Sequence, residues 1–230
     1  MKNLCIIPAR GGSKRIPRKN IKPFWGKPII AYSIESALES GLFDEVMVST
    51  DDIEIAEVAK QYGASVPFFR SAETANDFAT TADVLVEVIN EYKKLGKTFD
   101  KACCLYSTAP FVTSKRLSEA YSKIVGDIDS IFTVVEYSYP IQRSLVEDGQ
   151  RIRMKYPEYR TSRSQDLEKT YHDAGQFYFF TVEQFLKDKK LWGDNTTPLV
   201  LSELEVQDLD TLTDWKLAEM KYQLIRNEQA

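Results

Sequence analysis

A single histidine, His172, stands among 230 residues, and that scarcity excludes multi-histidine metal centres and leaves one place at most for a histidine-based triad. Cysteine is nearly as scarce. Cys5 and the adjacent pair Cys103 and Cys104 are odd in number and lack metal-ligand spacing, which excludes a disulfide scaffold and fits reduced thiols in a cytosolic core. No apolar run is long enough to span a bilayer. Only about four apolar residues precede Pro8, short of the roughly 7–15 of an export signal. A cytoplasmic protein without a membrane partner is therefore expected. Acidic residues are missing from one stretch in particular: residues 1–34 hold eight Lys and Arg and no Asp or Glu, whereas the other 196 hold 22 basic and 34 acidic groups. A nucleic-acid binder would spread a basic face over a net positive domain. A short positive segment in a protein of net charge −4 suits a small anionic ligand such as a phosphate chain instead.

What is present is ordinary for a folded chain, with 43% hydrophobic and 28% charged residues, and the length fits one large domain or a domain with an insertion. Short apolar runs alternate with amphipathic stretches. Strands are predicted at 4–8, 45–49, 64–68, 102–106, 130–135, 176–180 and 198–201, and helices at 29–39, 53–62, 80–94, 115–125, 182–187 and 213–226. Strand and helix repeating this regularly imply an α/β fold with a mainly parallel sheet covered on both faces. The pattern lapses over 137–170, where Tyr137, Tyr139, Tyr156 and Tyr159 lie among Pro, Ser, Arg and Gln. That segment reads as an inserted arm, because so long an irregular stretch is usually functional or covered by a partner.

Three segments carry chemistry. After the first strand, residues 8–20 read Pro-Ala-Arg-Gly-Gly-Ser-Lys-Arg-Ile-Pro-Arg-Lys-Asn. Gly11 and Gly12 let backbone N–H groups approach a ligand, and Arg10, Lys14 and Lys19 supply charge for phosphate oxygens. The spacing is neither that of a P-loop nor of the dinucleotide fingerprint. A solvated basic loop is the alternative, weakened by the position at the end of strand one, where open α/β sheets bind ligands. Late in the chain, Asp208 and Asp210 are two apart on an extended segment, so both carboxylates can meet one Mg²⁺. Thr211 and Asp214 have capping-box spacing, and metal binding and helix capping are compatible there. Finally, His172 and Asp173 precede a strand, with His172 either a substrate contact or a polar loop residue. Asp51 and Asp52 read as a helix start, as does the polar run from Arg70 to Thr81.

These residues together resemble the cytidylyltransferases that activate nine-carbon, sialic-acid-like sugars and related keto-deoxy sugar acids. The likeness rests on residues 8–20, Val48-Ser49-Thr50-Asp51, Arg70 to Thr81, Thr108-Ala109-Pro110, Ala174 to Tyr178 and Asp208-Leu209-Asp210, in that order and over nearly the whole chain. It implies a Rossmann-like nucleotidyltransferase fold over 1–230 with a small dimerisation arm at about 137–170, a homodimer, CTP as co-substrate and Mg²⁺ as cofactor. It also implies nucleotide contacts at Ala9, Arg10, Gly11, Gly12, Ser13, Lys14, Lys19, Asn20, Arg70, Ala79 and Thr81, and metal ligands at Asp208 and Asp210. Of these, Arg10, Lys14, Lys19 and the two aspartates would be catalytic. Acceptor contacts are expected from Tyr106, Ser107, Arg163, His172, Asp173 and Gln176.

The departures concentrate in the acceptor half. Sialic-acid members carry Gln-Pro-Thr-Ser-Pro-Leu-Arg where this chain has Tyr106 to Val112, and Arg-Pro-Asn-Gly where it has His172 to Gly175. Taken together, Cys103 to Tyr106, Tyr171 to Gly175 and Leu204 to Thr211 are similar to the pseudaminic acid branch of the family. The expected reaction is transfer of CMP from CTP to the anomeric hydroxyl of a nonulosonic acid, pseudaminic acid foremost, with pyrophosphate released. Other sugar acids, a metal-dependent glycosyltransferase and a non-catalytic nucleotide-binding module are the alternatives.

Overall fold

The computed structural model describes residues 1–228. Its first strand, β1 (Asn3–Pro8), is buried almost throughout and pairs in parallel with β4 (Glu45–Ser49) on one side and β5 (Lys101–Leu105) on the other. Beyond β5 come β9 (Tyr171–Thr181), β6 (Ser130–Glu136) and β10 (Thr196–Leu201). β10 is parallel to β6, while β9 runs antiparallel to both of its neighbours. The sheet is therefore mainly parallel, as expected, with one reversed strand in its middle.

Alternation along each strand divides the side chains between two cores. Cys5, Ile7, Cys103, Phe177 and Phe179 face a layer made by α1 (Ile29–Glu39), α2 (Ile53–Gln61) and α5 (Ser114–Ser122). Leu4, Ile6, Cys104, Tyr178 and Phe180 face α4 (Thr81–Lys94) and α6 (Val182–Asp188). Each fully buried Leu, Ile or Phe contributes about 1.5–3 kcal/mol, so near-continuous apolar strands are what two covered faces require. Helix starts follow the capping residues. The Asp52 carboxylate accepts from the Ile55 amide at 3.0 Å, and Thr80 forms a capping box with Asp83.

A third cluster positions the functional end of the molecule. The small hairpin of β2 (Pro23–Phe24) and β3 (Lys27–Pro28) presents Phe24 to Tyr32, and α7 (Leu212–Glu228) packs Trp215 and Ala218 against them. Leu209 is buried in this cluster, which anchors the segment before α7.

Two predictions need correction. Residues 64–68 make only one bridge, Ser65 to Met47, because Pro67 has no N–H with which to extend a ladder. β9 begins at Tyr171 rather than Gln176, and its pairing with β6 slips between Phe132 and Val134. One β6 residue, Thr133, there opposes Ala174 to Phe177, a bulge that bends β9 outward beside the end of β5. The arm, where only weak strand patterns are expected, contains a hairpin of β7 (Leu145–Asp148) and β8 (Arg151–Met154). The remaining helix, α3 (Ala72–Ala75), is a single turn within the polar run from Arg70.

Candidate active site

The glycine loop leaves the carboxyl end of β1 already fixed. Ala9 extends the β1–β4 pairing by donating to Ser49 O at 2.9 Å, and Gly11 N donates to Asp51 Oδ1 at 2.9 Å. A Cβ on Gly11 would fall 2.7 Å from Asp52 Oδ2 and 3.0 Å from Asp52 Cβ, so the close approach requires glycine. Asp52 is not free to yield. It caps α2 and takes two hydrogen bonds from Arg18, at 2.5 and 3.0 Å, and Arg18 holds its carboxyl below the usual range. Arg18 itself occupies the left-handed region, φ 54°. The helix start predicted for Asp51 and Asp52 is thus correct, and the same two carboxylates also shape the loop.

Around this loop lies a cavity of about 560 Å³. Arg10, Ser13, Lys14, Lys19 and Asn20 line one side; Arg70, Ala79 and Thr81 line the other, with Tyr106 and Ser107 between. Asn20 is buried, donating to Arg10 O at 2.8 Å and accepting from Ser107 Oγ at 2.9 Å. Arg70 is buried too, and its guanidinium donates to Ser49 Oγ and Ser49 O at 3.1 and 2.7 Å. Those partners are neutral, burial pulls its pKa down, and among the described residues no carboxylate is bonded to it, so its charge faces the cavity. Asp77 supplies the balance on the cradle side, with one oxygen 2.7 Å from Arg10 Nη1 and the other 2.5 Å from Lys14 Nζ. Ala9, Gly11 and Gly12 provide the backbone behind this wall rather than side chains on it.

The late aspartates reach the same place. Lys19 Nζ donates to Leu209 O at 2.8 Å and lies 3.9 Å from Asp210 Oδ1, which Arg15 approaches at 2.7 Å. Burial pulls the Lys19 pKa down, and Asp210 and Asp208 draw it back up. Asp214 accepts from Thr211 N and Oγ1 at 2.7 and 2.8 Å, so the capping box exists beside the carboxylate pair. Asp208 is exposed, and among the described residues its carboxylate has no hydrogen-bond partner. Two hard carboxylates flanking a buried leucine suit Mg²⁺, which keeps water and phosphate oxygens as its other ligands. No group of three or more His, Cys, Asp or Glu side chains placed to hold a metal occurs among the described residues.

A second cavity, of about 710 Å³, shares Tyr106 and Thr108 with the first. His172, Asp173, Gln176, Tyr178, Asp208 and Lys221 are on its wall. The β9 bulge builds it: Asp173 accepts from Gly175 N at 2.8 Å and from Tyr178 Oη at 2.7 Å, and burial raises the Tyr178 pKa. His172 Nδ1 lies 2.9 Å from Asp173 O, with its ring 5.0 Å from that of Tyr137. Gln176 is 1% exposed; its Nε2 donates to Ala174 O at 3.0 Å, while Oε1 has no partner. Arg163 is the exception among the expected acceptor contacts. It lines neither cavity and pairs with Asp166 at 2.7 Å on the surface of the arm.

The sequence reading missed Asp77, Arg15, Arg18 and Lys221. The first three sit inside segments already singled out, where spacing alone does not say which charges pair. Lys221 is on α7, remote from any motif.

An open, mainly parallel sheet with a basic glycine loop at the end of its first strand, joined through Lys19 to a segment that bears two carboxylates, defines a nucleotide-binding α/β protein. A family model described as Cytidylyltransferase matches residues 4–190, and the chain belongs to that family of nucleotidyltransferases. Over 226 residues it is 45% identical to the pseudaminic acid cytidylyltransferase of Campylobacter jejuni, covering 97% of each chain. It is 34% identical over 239 residues to the CMP-N,N'-diacetyllegionaminic acid synthase of Legionella pneumophila, covering 100% of this chain and 99% of that one. Among solved structures, a CMP:2-keto-3-deoxy-manno-octonic acid synthetase complexed with CTP superposes with a TM-score of 0.70 at 19% identity, over 99% of this chain and 100% of that one. At that identity the likeness speaks for the fold.

Proposed function

We propose that this protein transfers CMP from CTP to the anomeric hydroxyl of pseudaminic acid, releasing pyrophosphate. The observation that supports the reading is the junction of Lys19 with Leu209 and Asp210, which ties the basic loop to the segment bearing the carboxylate pair. The adjoining cavities then divide the work. The first takes the nucleotide, with Arg10, Ser13, Lys14, Lys19 and Asn20 on the triphosphate and Arg70, Ala79 and Thr81 on the cytidine side. The second takes the sugar acid, with Tyr106, His172, Asp173 and Gln176 on the acceptor and Ser107 holding Asn20 at the boundary. The 45% identity to a pseudaminic acid enzyme favours that acceptor over the other nonulosonic acids.

In the reaction the sugar oxygen bonds to the α-phosphorus as the bond to the β-phosphate bridging oxygen breaks, and the hydroxyl proton passes to solvent. No side chain of the cleft is assigned as its base. Arg10, Lys14 and Lys19 take up the charge of the departing pyrophosphate, which is where electrostatic stabilisation is most effective in such transfers. Asp208 and Asp210 would hold Mg²⁺, which supplies charge neutralisation at phosphate oxygens. The arm bears exposed Tyr139, Leu145 and Ile152, a surface for a second copy of the chain, and the cytoplasm, where CTP is made, is the compartment. Among the described residues no helix is long and apolar enough to cross a membrane.

A coupled pyrophosphate assay with CTP and a panel of free sugar acids tests the reading. Pseudaminic acid should be converted far faster than N-acetylneuraminic acid; release with none of the acids would reject the activity. Light scattering on the purified protein tests the dimer.

A further inference from the structure

The second cavity is acidic, since Asp173, Glu203 and Asp208 all line it, and Lys221 is the one lysine or arginine on its wall among the described residues. An acceptor that is itself a carboxylic acid meets repulsion there unless a cation receives it. The Lys221 ammonium is aimed rather than free: Nζ donates to Glu203 O at 2.8 Å and to Val206 O at 2.7 Å. An ammonium has three donors, so one remains. Neither partner carries charge, and among the described residues no carboxylate lies within ion-pair distance of Nζ. Burial lowers its pKa, only partly offset by Glu203, the signature of a cation whose desolvation lacks full compensation.

We propose that Lys221 seats the carboxylate of the acceptor sugar through that third donor. The inference rests on the acceptor reading above and deepens it. Val206 lies two residues before Asp208, so the same ammonium that receives the acid also fixes the backbone leading into the aspartate pair. The acceptor's position is thereby set relative to Asp208, which lines the same cavity.

Lys221→Gln and Lys221→Arg, assayed with CTP and pseudaminic acid, provide the test. Glutamine keeps donors for the two carbonyls and removes the charge; arginine keeps the charge. The glutamine variant should raise the acceptor KM by about tenfold or more, the scale of one charged hydrogen bond, with the CTP KM close to wild type. Arginine should recover most of the loss. A purely structural brace predicts otherwise, so the acid is also compared with its methyl ester. Wild type should prefer the acid, and Lys221→Gln should lose the preference. An unchanged preference, or a fall in kcat accompanied by matching shifts in CTP KM and melting temperature, would overturn the assignment. Wild-type turnover with an unmoved acceptor KM in the variant sinks this inference alone, whereas wild-type silence with every sugar acid sinks the proposed function and this inference with it.

Discussion

Lys19 donates from Nζ to the backbone oxygen of Leu209 at 2.8 Å, joining positions 190 residues apart in sequence. Leu209 is held in turn by the aromatic cluster of Phe24, Tyr32 and Trp215, so the hydrogen bond ties the basic loop to a rigid part of the core. Side chains that must act on one triphosphate need that kind of support, because small misplacements are costly in rate.

The role proposed for this lysine predicts that CTP binding is sensitive to alkali. Burial holds its pKa below the ordinary 10.5, so its charge is lost as pH rises through the lowered value. CTP KM should therefore climb at a pH below that expected of an exposed lysine. Lys19→Arg should carry the plateau to higher pH, since arginine stays protonated, and Lys19→Met should raise KM at every pH. Initial rates across pH 7 to 10 check this; coincident profiles for wild type and the arginine variant would assign the alkaline limb to another group.

Gly11 and Gly12 look equivalent in sequence and are not. At Gly11 an added methyl meets Asp52 Oδ2 at 2.7 Å and Asp52 Cβ at 3.0 Å, while at Gly12 nothing lies within 4 Å. Asp52 cannot retreat without giving up its helix cap and Arg18. Gly11→Ala should consequently lower stability by about 1–3 kcal/mol, in the range of overpacking, whereas Gly12→Ala should stay within about 0.5 kcal/mol of wild type. Denaturant melts of the two variants decide the matter, and equal midpoints would show that Asp52 moves aside cheaply.

The contrast marks how far the sequence could be read. Alternation of Leu4 and Ile6 with Cys5 and Ile7 announces a strand buried on both faces, because burial leaves a period in the chain. Asp52 announces a helix cap, a local relation spanning three residues. Its second role, against Gly11 and Arg18, depends on a turn whose backbone no local pattern encodes. The extended run at 64–68 was legible as apolar, but Pro67 restricts it to a single bridge. Lys221 was invisible for another reason: a lysine on a terminal helix has no neighbours in sequence that reveal which cavity it lines. Arg163, expected at the acceptor, is instead tied to Asp166 three residues on, a local pair that the resemblance does not convey.

Asp208 and Asp210 occupy unequal settings, with Asp210 paired to Arg15 and near Lys19 and Asp208 exposed, its carboxylate without a hydrogen-bond partner among the described residues. Alanine at either should cut turnover by roughly a hundredfold or more, the scale of removing one preorganised electrostatic contact. The structural cost should differ. Asp210→Ala leaves Arg15 unpaired and should move the melting temperature slightly, while Asp208→Ala should leave it unchanged. Calorimetry with CTP, with and without Mg²⁺, separates the roles further: the wild-type dependence on Mg²⁺ should vanish in both variants. Near-normal pyrophosphate release from Asp208→Ala would remove the pair from the chemistry.

Asp77 presents to Arg10 and Lys14 the same two-oxygen face that a phosphate would. It stands on a turn held by Asn76 Oδ1, which accepts from the amides of Phe78 and Ala79, and the following side chain, Phe78, is 93% exposed. A triphosphate entering the cradle must take both cations from this carboxylate. Both are surface pairs, in which solvent screens much of the attraction, so exchange is feasible but not free. Asp77→Asn should tighten CTP binding severalfold and steepen its dependence on salt, because the cradle then presents two uncompensated charges to the same anion. If titration at several ionic strengths shows weaker CTP binding in the variant, Asp77 works with the nucleotide rather than against it, and the loop closes on the ligand instead of standing in its place.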